Sequence, residues 1–155
     1  MTDAPVKAIK QQLNNDLGKI KMENGYINNA TILNGYMVHY VRKFSETDEP
    51  LNFPCVAIQP SRDRTSKASS NLQSKTERDW ILIGAVSVQN PEQVTDNLDA
   101  LLYDVKRSLS FDPYEGGAPA VDYVLGEAVF DLPERGDEYA FFEMPITMKF
   151  IESLK

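Results

Sequence analysis

Residues 80–109 read WILIGAVSVQNPEQVTDNLDALLYDVKRSL and predict a strand, a capped turn and an amphipathic helix. The strand is apolar on both faces, which is typical of a strand buried inside a sheet. Asn90 suits the N-cap of the helix, and Pro91 suits its first position. The buried stripe of the helix then consists of Val94, Leu98, Leu101, Leu102, Val105 and Leu109. The segment predicts the centre of an α+β domain, and none of it looks catalytic.

The predicted strand has more apolar surface than two helices can cover. Its two rows of side chains begin at Trp80 and at Ile81, and one helix layer buries only one row. The other row needs a hairpin, a loop of the same chain or another subunit packed against it. We expect a neighbouring subunit to cover part of that row.

The chain before this segment predicts one helix and two strands. Asn24-Gly25 supplies a left-handed stop for the helix. Residues 36–44 alternate in the manner of a strand, and FPCVAI at residues 53–58 predicts a second, short strand. The buried stripe of the first helix is predicted to be Val6, Ile9, Leu13, Leu17 and Ile20.

The chain after the segment predicts a closing pair of strands. Strand character returns at residues 121–130, and DLPERGDE at residues 131–138 is typical of a hairpin connection. Pro145 interrupts the last strand, residues 139–151, and marks an edge or a bulge. The side chains of that strand predicted to point inward are Ala140, Phe142, Met144, Ile146, Met148 and Phe150.

Together these elements predict one α+β domain over residues 1–155. We expect a mainly antiparallel, mixed and twisted sheet of about five strands, with two helices packed on one face. The predicted order is α-β-β-(long arm)-β-α-β-β. A chain of 155 residues buries about two-thirds of its unfolded surface, so one core is expected.

Residues 61–78, SRDRTSKASSNLQSKTER, predict a flexible arm, because Leu72 is their one large apolar residue. The segment has five basic and two acidic residues, whereas the rest of the chain has 11 basic and 21 acidic residues. It is either a solvated loop or an arm that orders against an acidic neighbour, such as another copy of the domain. The charge split favours the second interpretation. The candidate subunit-interface residues are Arg62, Arg64, Lys67, Lys75, Arg78 and Trp80.

Overall charge and apolar patterning limit the classes of partner. A net charge of −7 argues against binding of nucleic acid or anionic lipid over the whole surface. The chain has no apolar run of the roughly 20 residues that a membrane span needs, and its first residues lack the pattern of a signal peptide. The single cysteine excludes an internal disulfide. We therefore expect a protein without a membrane partner that matures in a reducing cytoplasm.

The residues that most often carry chemistry are few and scattered. His39 is the single histidine and is expected to be a strand side chain with a local hydrogen bond. Cys55 is expected to be a buried structural thiol. Glu92, Asp99 and Asp104 are expected to face solvent, as carboxylates on a helix usually do. The sequence therefore predicts no enzyme activity and no catalytic, metal or cofactor site.

Several sequence segments occur along the chain in an order that is similar to that of a known family. An opening helix ends near Asn24-Gly25-Tyr26, a motif that is repeated at Asn34-Gly35-Tyr36, and FPCVAI and the polar arm come next. They are followed by WILIGAVSV, by the cap NPEQ, by a helix ending in LLYDVKRSL and by a last strand, FFEMPITMKFI. In this order the chain resembles the tail terminator, or minor tail protein, family of long-tailed bacteriophages. The resemblance spans nearly the whole chain and is one of pattern.

The resemblance implies a homo-oligomer, a hexameric ring at the head-proximal end of a virion tail. In that family the ring stacks on the last ring of the tail tube protein, ends its polymerisation and offers a surface to the head-tail connector. DNA passes through the central channel without specific binding. An acidic body suits such a channel, because DNA does not adhere to an acidic wall. The family's binding residues are surfaces without a motif, so no individual residue role is carried over.

Two other interpretations remain open at this point. A head-tail connector, or neck protein, of similar fold would belong to the same assembly. A small nucleic-acid-binding module would use the basic arm together with Tyr36, Tyr40 or Trp80 for stacking, although these aromatic residues alternate into predicted strands.

Overall fold

The computed structural model describes residues 5–41, 52–67, 73–110, 122–131 and 138–153 of the chain. Two long helices and two 3-10 turns are present, together with a short helix, α2, at residues 37–41. The long helices are α1 (Pro5–Gly18) and α3 (Val94–Leu109), and the 3-10 turns are Met22–Asn24 and Pro91–Gln93. The strands are β1 (Thr31–Asn34), β2 (Cys55–Lys67), β3 (Gln73–Ser87), β4 (Asp122–Leu125), β5 (Val129–Asp131) and β6 (Tyr139–Ser153).

The six strands form one mixed sheet with the order β1-β2-β3-β6-β4, and β5 pairs with β6 beside β4. β1 is parallel to β2, and all the other pairs are antiparallel. The longest pairing joins β3 and β6 from Gln73 opposite Ser153 to Ser87 opposite Tyr139. The prediction of an α+β domain with a mainly antiparallel, mixed sheet is therefore confirmed, with six strands and a third helix.

The main core lies between the sheet and the helices α1 and α3, on a face that we call the helix face. The buried stripes of both helices meet there, and the prediction of both stripes is confirmed. Val6 and Phe150 pack at the margin of this core, while the other inward residues predicted for the last strand are buried. Burying such apolar area is the main stabilising contribution to folding.

We call the opposite face of the sheet the second face. The structure there differs from two expectations based on the sequence. Residues 37–41 form α2 and not a strand, and residues 42–44 of the predicted strand lie outside the described residues. Met37 and Val41 lie one helical turn apart, and both pack against the second face. The main-chain amide of Met37 donates to Gln59 Oε1 at 2.9 Å, which anchors the start of the helix to β2.

Because α2 belongs to the same chain, the apolar row beginning at Ile81 needs no neighbouring subunit over β2 and β3. Ile83 and Ala85 are buried beneath α2 together with Cys55 and Ala57. The expectation that another subunit covers this row is wrong for that half of the sheet. The alternation of residues 36–44 was misleading because a helix and a strand can both place Met37 and Val41 on one side.

The first helix ends earlier than predicted. α1 stops at Gly18, and the amide of Ile20 donates to the carbonyl of Leu17 at 3.1 Å, which tightens the chain after the helix. Gly25 has the left-handed conformation expected of a stop, with φ +86°, but it closes the 3-10 turn Met22–Asn24. The physical reason is the poor helix propensity of Gly18, which permits the end six residues before the Asn24-Gly25 pair.

The long arm predicted at residues 61–78 is also corrected. β2 continues through Lys67 and β3 begins at Gln73, so most of the segment extends the sheet; residues 68–72 lie outside the described part of the chain. The pairing of β3 with β6 continues to Ser153, which gives the segment a partner strand. Residues 61–67 are hydrogen-bonded to β3, and residues 73–78 are hydrogen-bonded to both β2 and β6. This main-chain hydrogen bonding replaces the apolar burial that the segment lacks.

Pro145 was predicted to mark an edge or a bulge, and it lies at a break between two partner strands. β6 is an interior strand, but β4 pairs with residues 146–149 and β5 with residues 141–143. The carbonyl of Pro145 accepts from the amide of Gly126 at 2.7 Å, between the two short strands. The missing N–H of Pro145 therefore costs no ladder bond to β3.

Replacing Gly84 is expected to disturb the centre of the sheet. Gly84 lies opposite Phe142, and a Cβ at residue 84 would stand 2.3 Å from the Phe142 ring. Gly84→Ala should therefore lower the free energy of unfolding by about 1–3 kcal/mol through overpacking. Urea denaturation at fixed pH measures this change.

Gly18→Ala is the matched control, because a Cβ there meets no atom within 4 Å. It should raise the free energy of unfolding by about 0.4–1 kcal/mol. Equal effects of the two substitutions would contradict the role assigned to Gly84.

Candidate interaction surface

Past Pro60 of β2 the sheet continues through β2, β3 and β6 as a region that we call the extension. It consists of residues 61–67 of β2, 73–79 of β3 and 147–153 of β6. β1 pairs with β2 only from Cys55 to Ile58 and does not reach the extension, whereas β4 pairs with β6 as far as Lys149. Met148 of the extension is buried in the main core and Phe150 packs at its margin, while the second face carries exposed polar side chains that the core does not require.

A β-bulge decides which charges of the extension share a face. Pro60 lies opposite Trp80 and Arg62 lies opposite Asp79, so Ser61 is an extra residue in β2. Because side chains alternate along a strand, one inserted residue moves all the following ones to the other face. The bulge thus places Arg62 and Arg64 on the second face instead of the helix face.

Arg64 joins two carboxylates on the second face of the extension. Its Nη2 donates to Glu77 Oε2 at 2.9 Å and to Asp79 Oδ1 at 3.0 Å, and its Nη1 donates to Asp79 Oδ2. Thr147 Oγ1 donates to Asp79 Oδ1 at 2.7 Å, and Lys149 Nζ lies 3.9 Å from Glu77 Oε1. Side chains of β2, β3 and β6 are thereby connected in one network.

Hydrogen bonds in this network shift the pKa values of two side chains, Asp79 and Arg64. The hydrogen bond from Arg64 is the main cause that holds the pKa of Asp79 below its ordinary value of 3.8, against the opposing effect of partial burial. The hydrogen bonds to Asp79 and Glu77 raise the pKa of Arg64 above its ordinary value. Both groups are therefore charged at neutral pH.

A second ion pair lies on the helix face of the extension. Arg78 Nη2 is 2.9 Å from Asp63 Oδ2, and the Arg78 guanidinium carbon lies 5.4 Å from the centroid of the Trp80 ring. Cation-π contacts of this kind contribute about 0.5–1 kcal/mol at partly exposed sites. Arg78 thus links the polar extension to the edge of the main core.

The six candidate interface residues take different positions. Arg62 and Lys75 are exposed on the second face, while Arg64 and Arg78 form the ion pairs described above. Trp80 is only 2% exposed in the main core, so its place as a direct interface residue is corrected. Its indole fills the core beneath the ion pair of Arg78 and Asp63. The sequence pattern alone does not show this burial. The remaining candidate, Lys67, ends β2, and its side chain lies outside the described part of the structure.

Apolar side chains are exposed on the second face beside these charges. Ile151 of β6 is 64% exposed and Val124 of β4 is 48% exposed. Ile151 lies opposite Lys75 and Val124 lies opposite Thr147, so both belong to the second face. α2 covers the β2–β3 half of this face, and these two residues lie outside that half. Neither Ile151 nor Val124 was predicted to be exposed, because the sequence pattern does not show which apolar side chains remain uncovered.

Asp104 has a structural role that was not expected. The side chain is fully buried, and its carboxylate accepts from the amides of Ile27 (3.1 Å) and Asn28 (2.9 Å) and from the Asn28 side-chain amide (2.9 Å). One turn further along α3, Arg107 Nη1 donates to the carbonyl of Gly25 at 2.8 Å. The expectation that Asp104 faces solvent is therefore wrong, because the loop after α1 folds over it.

Cys55 and His39, the single cysteine and the single histidine of the chain, occupy positions that are ordinary for structural residues. Cys55 is fully buried, and burial raises the pKa of its thiol to about 12, so the prediction of a structural thiol is confirmed. His39 is exposed on α2 with its ring centroid 5.7 Å from that of Tyr36, so it is not a strand residue. Among the described residues, no group of three or more histidine, cysteine or acidic side chains could hold a metal ion.

In the described part of the chain, no helix is long and apolar enough to cross a membrane. Comparison of the sequence with protein-family models and with curated proteins finds no match.

The network around Arg64 should make stability depend on pH in the acid range. Because the folded pKa of Asp79 is lowered, its contribution is fully present above the unfolded value and is lost as pH falls through the folded value. Asp79→Asn should therefore reduce the free energy of unfolding more at pH 7 than at pH 3. Urea titrations of both proteins at the two pH values measure the difference.

Arg64→Gln is the companion variant, because it removes the cation that lowers the pKa of Asp79. Its loss of stability should likewise shrink at pH 3. An identical loss at both pH values in either variant would show that this ion pair does not govern the acid response.

Asp104→Ala should loosen the loop that follows α1. Removing the carboxylate leaves two main-chain amides without their acceptor, so we expect a loss of about 2 kcal/mol or more in the free energy of unfolding. Hydrogen exchange at Ile27 and Asn28 should accelerate. Asp99→Ala, an exposed substitution on the same helix, should stay within about 0.5 kcal/mol of the unaltered protein. Unchanged exchange at Ile27 and Asn28 in Asp104→Ala would contradict the anchoring role.

Proposed function

We propose that this chain is a structural virion protein that caps the tail tube of a long-tailed bacteriophage. Its copies form an oligomeric ring, end polymerisation of the tube protein and provide the surface for head-tail joining. The observation that carries the proposal is the extension, a charged part of the sheet with exposed side chains on its second face. It adds to the resemblance in the order of elements.

A ring of identical subunits needs an interface in which one patch of each copy meets a different patch of the next. The extension supports such an interface, because its second face combines exposed charge with exposed Ile151, and Val124 of the neighbouring strand β4 is exposed beside it. Apolar side chains with a polar surround are typical of surfaces that bind other proteins. The arm expected from the sequence is replaced in this role by a regular part of the sheet.

The acidic character of the chain supports a role around DNA without binding it. The net charge is −7, and two acidic side chains, Glu77 and Asp79, lie within the basic part of the extension itself. The chain outside residues 61–78 has 11 basic and 21 acidic residues and repels phosphate groups, so DNA would slide past it. The same charges count against a nucleic-acid-binding module.

Negative-stain microscopy of the purified protein, alone and with isolated tail tubes, tests the proposal. We expect rings and, in the presence of tubes, a cap at one end that stops further addition of tube protein. Tubes that keep growing at both ends in the presence of this protein would contradict it. Finding the protein on the head connector but absent from isolated tails would favour the neck-protein alternative.

A further inference from the structure

Building on the proposed function, we infer that neighbouring copies are joined through two surfaces on opposite sides of the molecule. One is the basic-apolar patch, formed on the second face by Arg62, Arg64, Val124, Lys149 and Ile151. The other is the acidic stripe, formed on α3 and the turn before it by Glu92, Asp96, Asp99 and Tyr103. The basic-apolar patch of each copy therefore binds the acidic stripe of a second copy.

The acidic stripe follows from the way α3 packs. The buried side of this helix faces the sheet, and residues 92, 96, 99 and 103 are spaced by three and four on the exposed side. Three of them are acidic, and Tyr103 at the end of the stripe is 57% exposed. Tyrosine and arginine are enriched among the residues that dominate binding energy at interfaces, so Tyr103 on the stripe and Arg62 on the patch suit a contact of this kind.

The basic-apolar patch has the complementary character. Arg62 is exposed on β2, Lys149 has a half-exposed side chain on β6, and Ile151 extends the patch along β6 as an apolar residue. Glu77 and Asp79 hold Arg64 in place, and the three cations Arg62, Arg64 and Lys149 outnumber these two carboxylates, so the patch keeps a net positive charge. The patch therefore combines cations on β2 and β6 with the apolar side chains of Ile151 and Val124.

The dimensions of the two surfaces match. Glu92 and Tyr103 are 11 residues apart, which corresponds to about 16 Å along the helix axis. Arg62 lies across β3 from Thr147, two strand spacings or about 10 Å away, and Ile151 lies four residues further along β6, about 13 Å. The diagonal from Arg62 to Ile151 is therefore also about 16 Å. A helix laid obliquely across the strands can thus place Glu92 and Asp96 near Arg62 and Asp99 near Lys149 while Tyr103 reaches Ile151.

The arrangement favours another copy over a phosphate-bearing partner. A nucleic acid would contact the cations through its phosphates and would leave the apolar side chains of Val124 and Ile151 uncovered. The acidic stripe supplies both carboxylates and an aromatic ring. Because α3 lies on the helix face and the patch lies on the second face, contact is head to tail and can continue around a ring.

A charge exchange between the two surfaces tests the inference. The patch variant is Arg62→Glu with Lys149→Glu, and the stripe variant is Asp96→Lys with Asp99→Lys. Each reversed surface then meets a like charge on its neighbour, so each variant alone should self-associate at least about tenfold more weakly than the unaltered protein. Analytical ultracentrifugation over a range of concentrations measures the association.

Mixing the two variants in equal amounts should restore association. The reversed patch then meets the reversed stripe, and the unaltered stripe of the patch variant meets the unaltered patch of the stripe variant, so alternating copies close every contact. Charge reversals at Lys7 and Glu23, which are exposed and belong to neither surface, serve as controls and should leave association unchanged. Circular dichroism confirms that each variant is folded, and Ile151→Asp replaces the patch variant if Lys149→Glu prevents folding.

The outcomes separate this inference from the proposed function. Loss of association in each variant with recovery in the mixture supports the two surfaces, even if the assembled protein fails to cap tail tubes. Variants that associate as well as the unaltered protein, or a mixture that stays apart, overturn the inference. Capping of tubes by such variants would leave the proposed function intact.

Discussion

The antiparallel pairing of β3 with β6 is the constraint on which the rest of the structure depends. It covers the whole length of both strands, from Gln73 opposite Ser153 to Ser87 opposite Tyr139. At its centre Gly84 leaves room for the Phe142 ring, so the large side chain of one strand fills the space that the other leaves empty. A one-residue shift in this register would place the side chains of one strand on the wrong face relative to those of the other. The helices, the short strands and α2 all cover surfaces that this register defines.

The same pairing explains how a segment with almost no apolar residues becomes regular structure. In the extension the strands are held by main-chain hydrogen bonds and by ion pairs across strands, such as Arg64 with Glu77 and Arg78 with Asp63. Isolated ion pairs on a surface contribute little, typically up to about 1 kcal/mol each. They select the register here, because a shifted register would bring like charges together. Stability itself comes from the core at the other end of the same strands.

The two faces of the sheet separate the stabilising part of the molecule from the part available to partners. The helix face is filled by α1 and α3, and Asp104 ties the loop after α1 to the last turns of α3. The second face is covered by α2 at one half and leaves Val124 and Ile151 exposed at the other. A head-to-tail assembly needs this asymmetry, since one face must receive what the opposite side presents. The proposal of a ring-forming tail protein depends on that geometry more than on any single residue.

The sequence by itself determined the elements whose periodicity is long and strong: the stripes of α1 and α3, the alternation of β6 and the two-sided burial of β3. Burial of apolar surface decides these elements, and its pattern is written along the chain. Only the tertiary structure decided the others. The pattern of residues 36–44 is equally compatible with a strand. Residues 37–41 form α2 because Cys55, Ala57, Ile83 and Ala85 provide an apolar surface for this helix. Residues 61–67 and 73–78 of the polar segment are strand because β3 and β6 pair along their full length, and one extra residue at Ser61 sets the face on which Arg62 and Arg64 lie. Such contacts join residues far apart in sequence, so no local pattern could have revealed them.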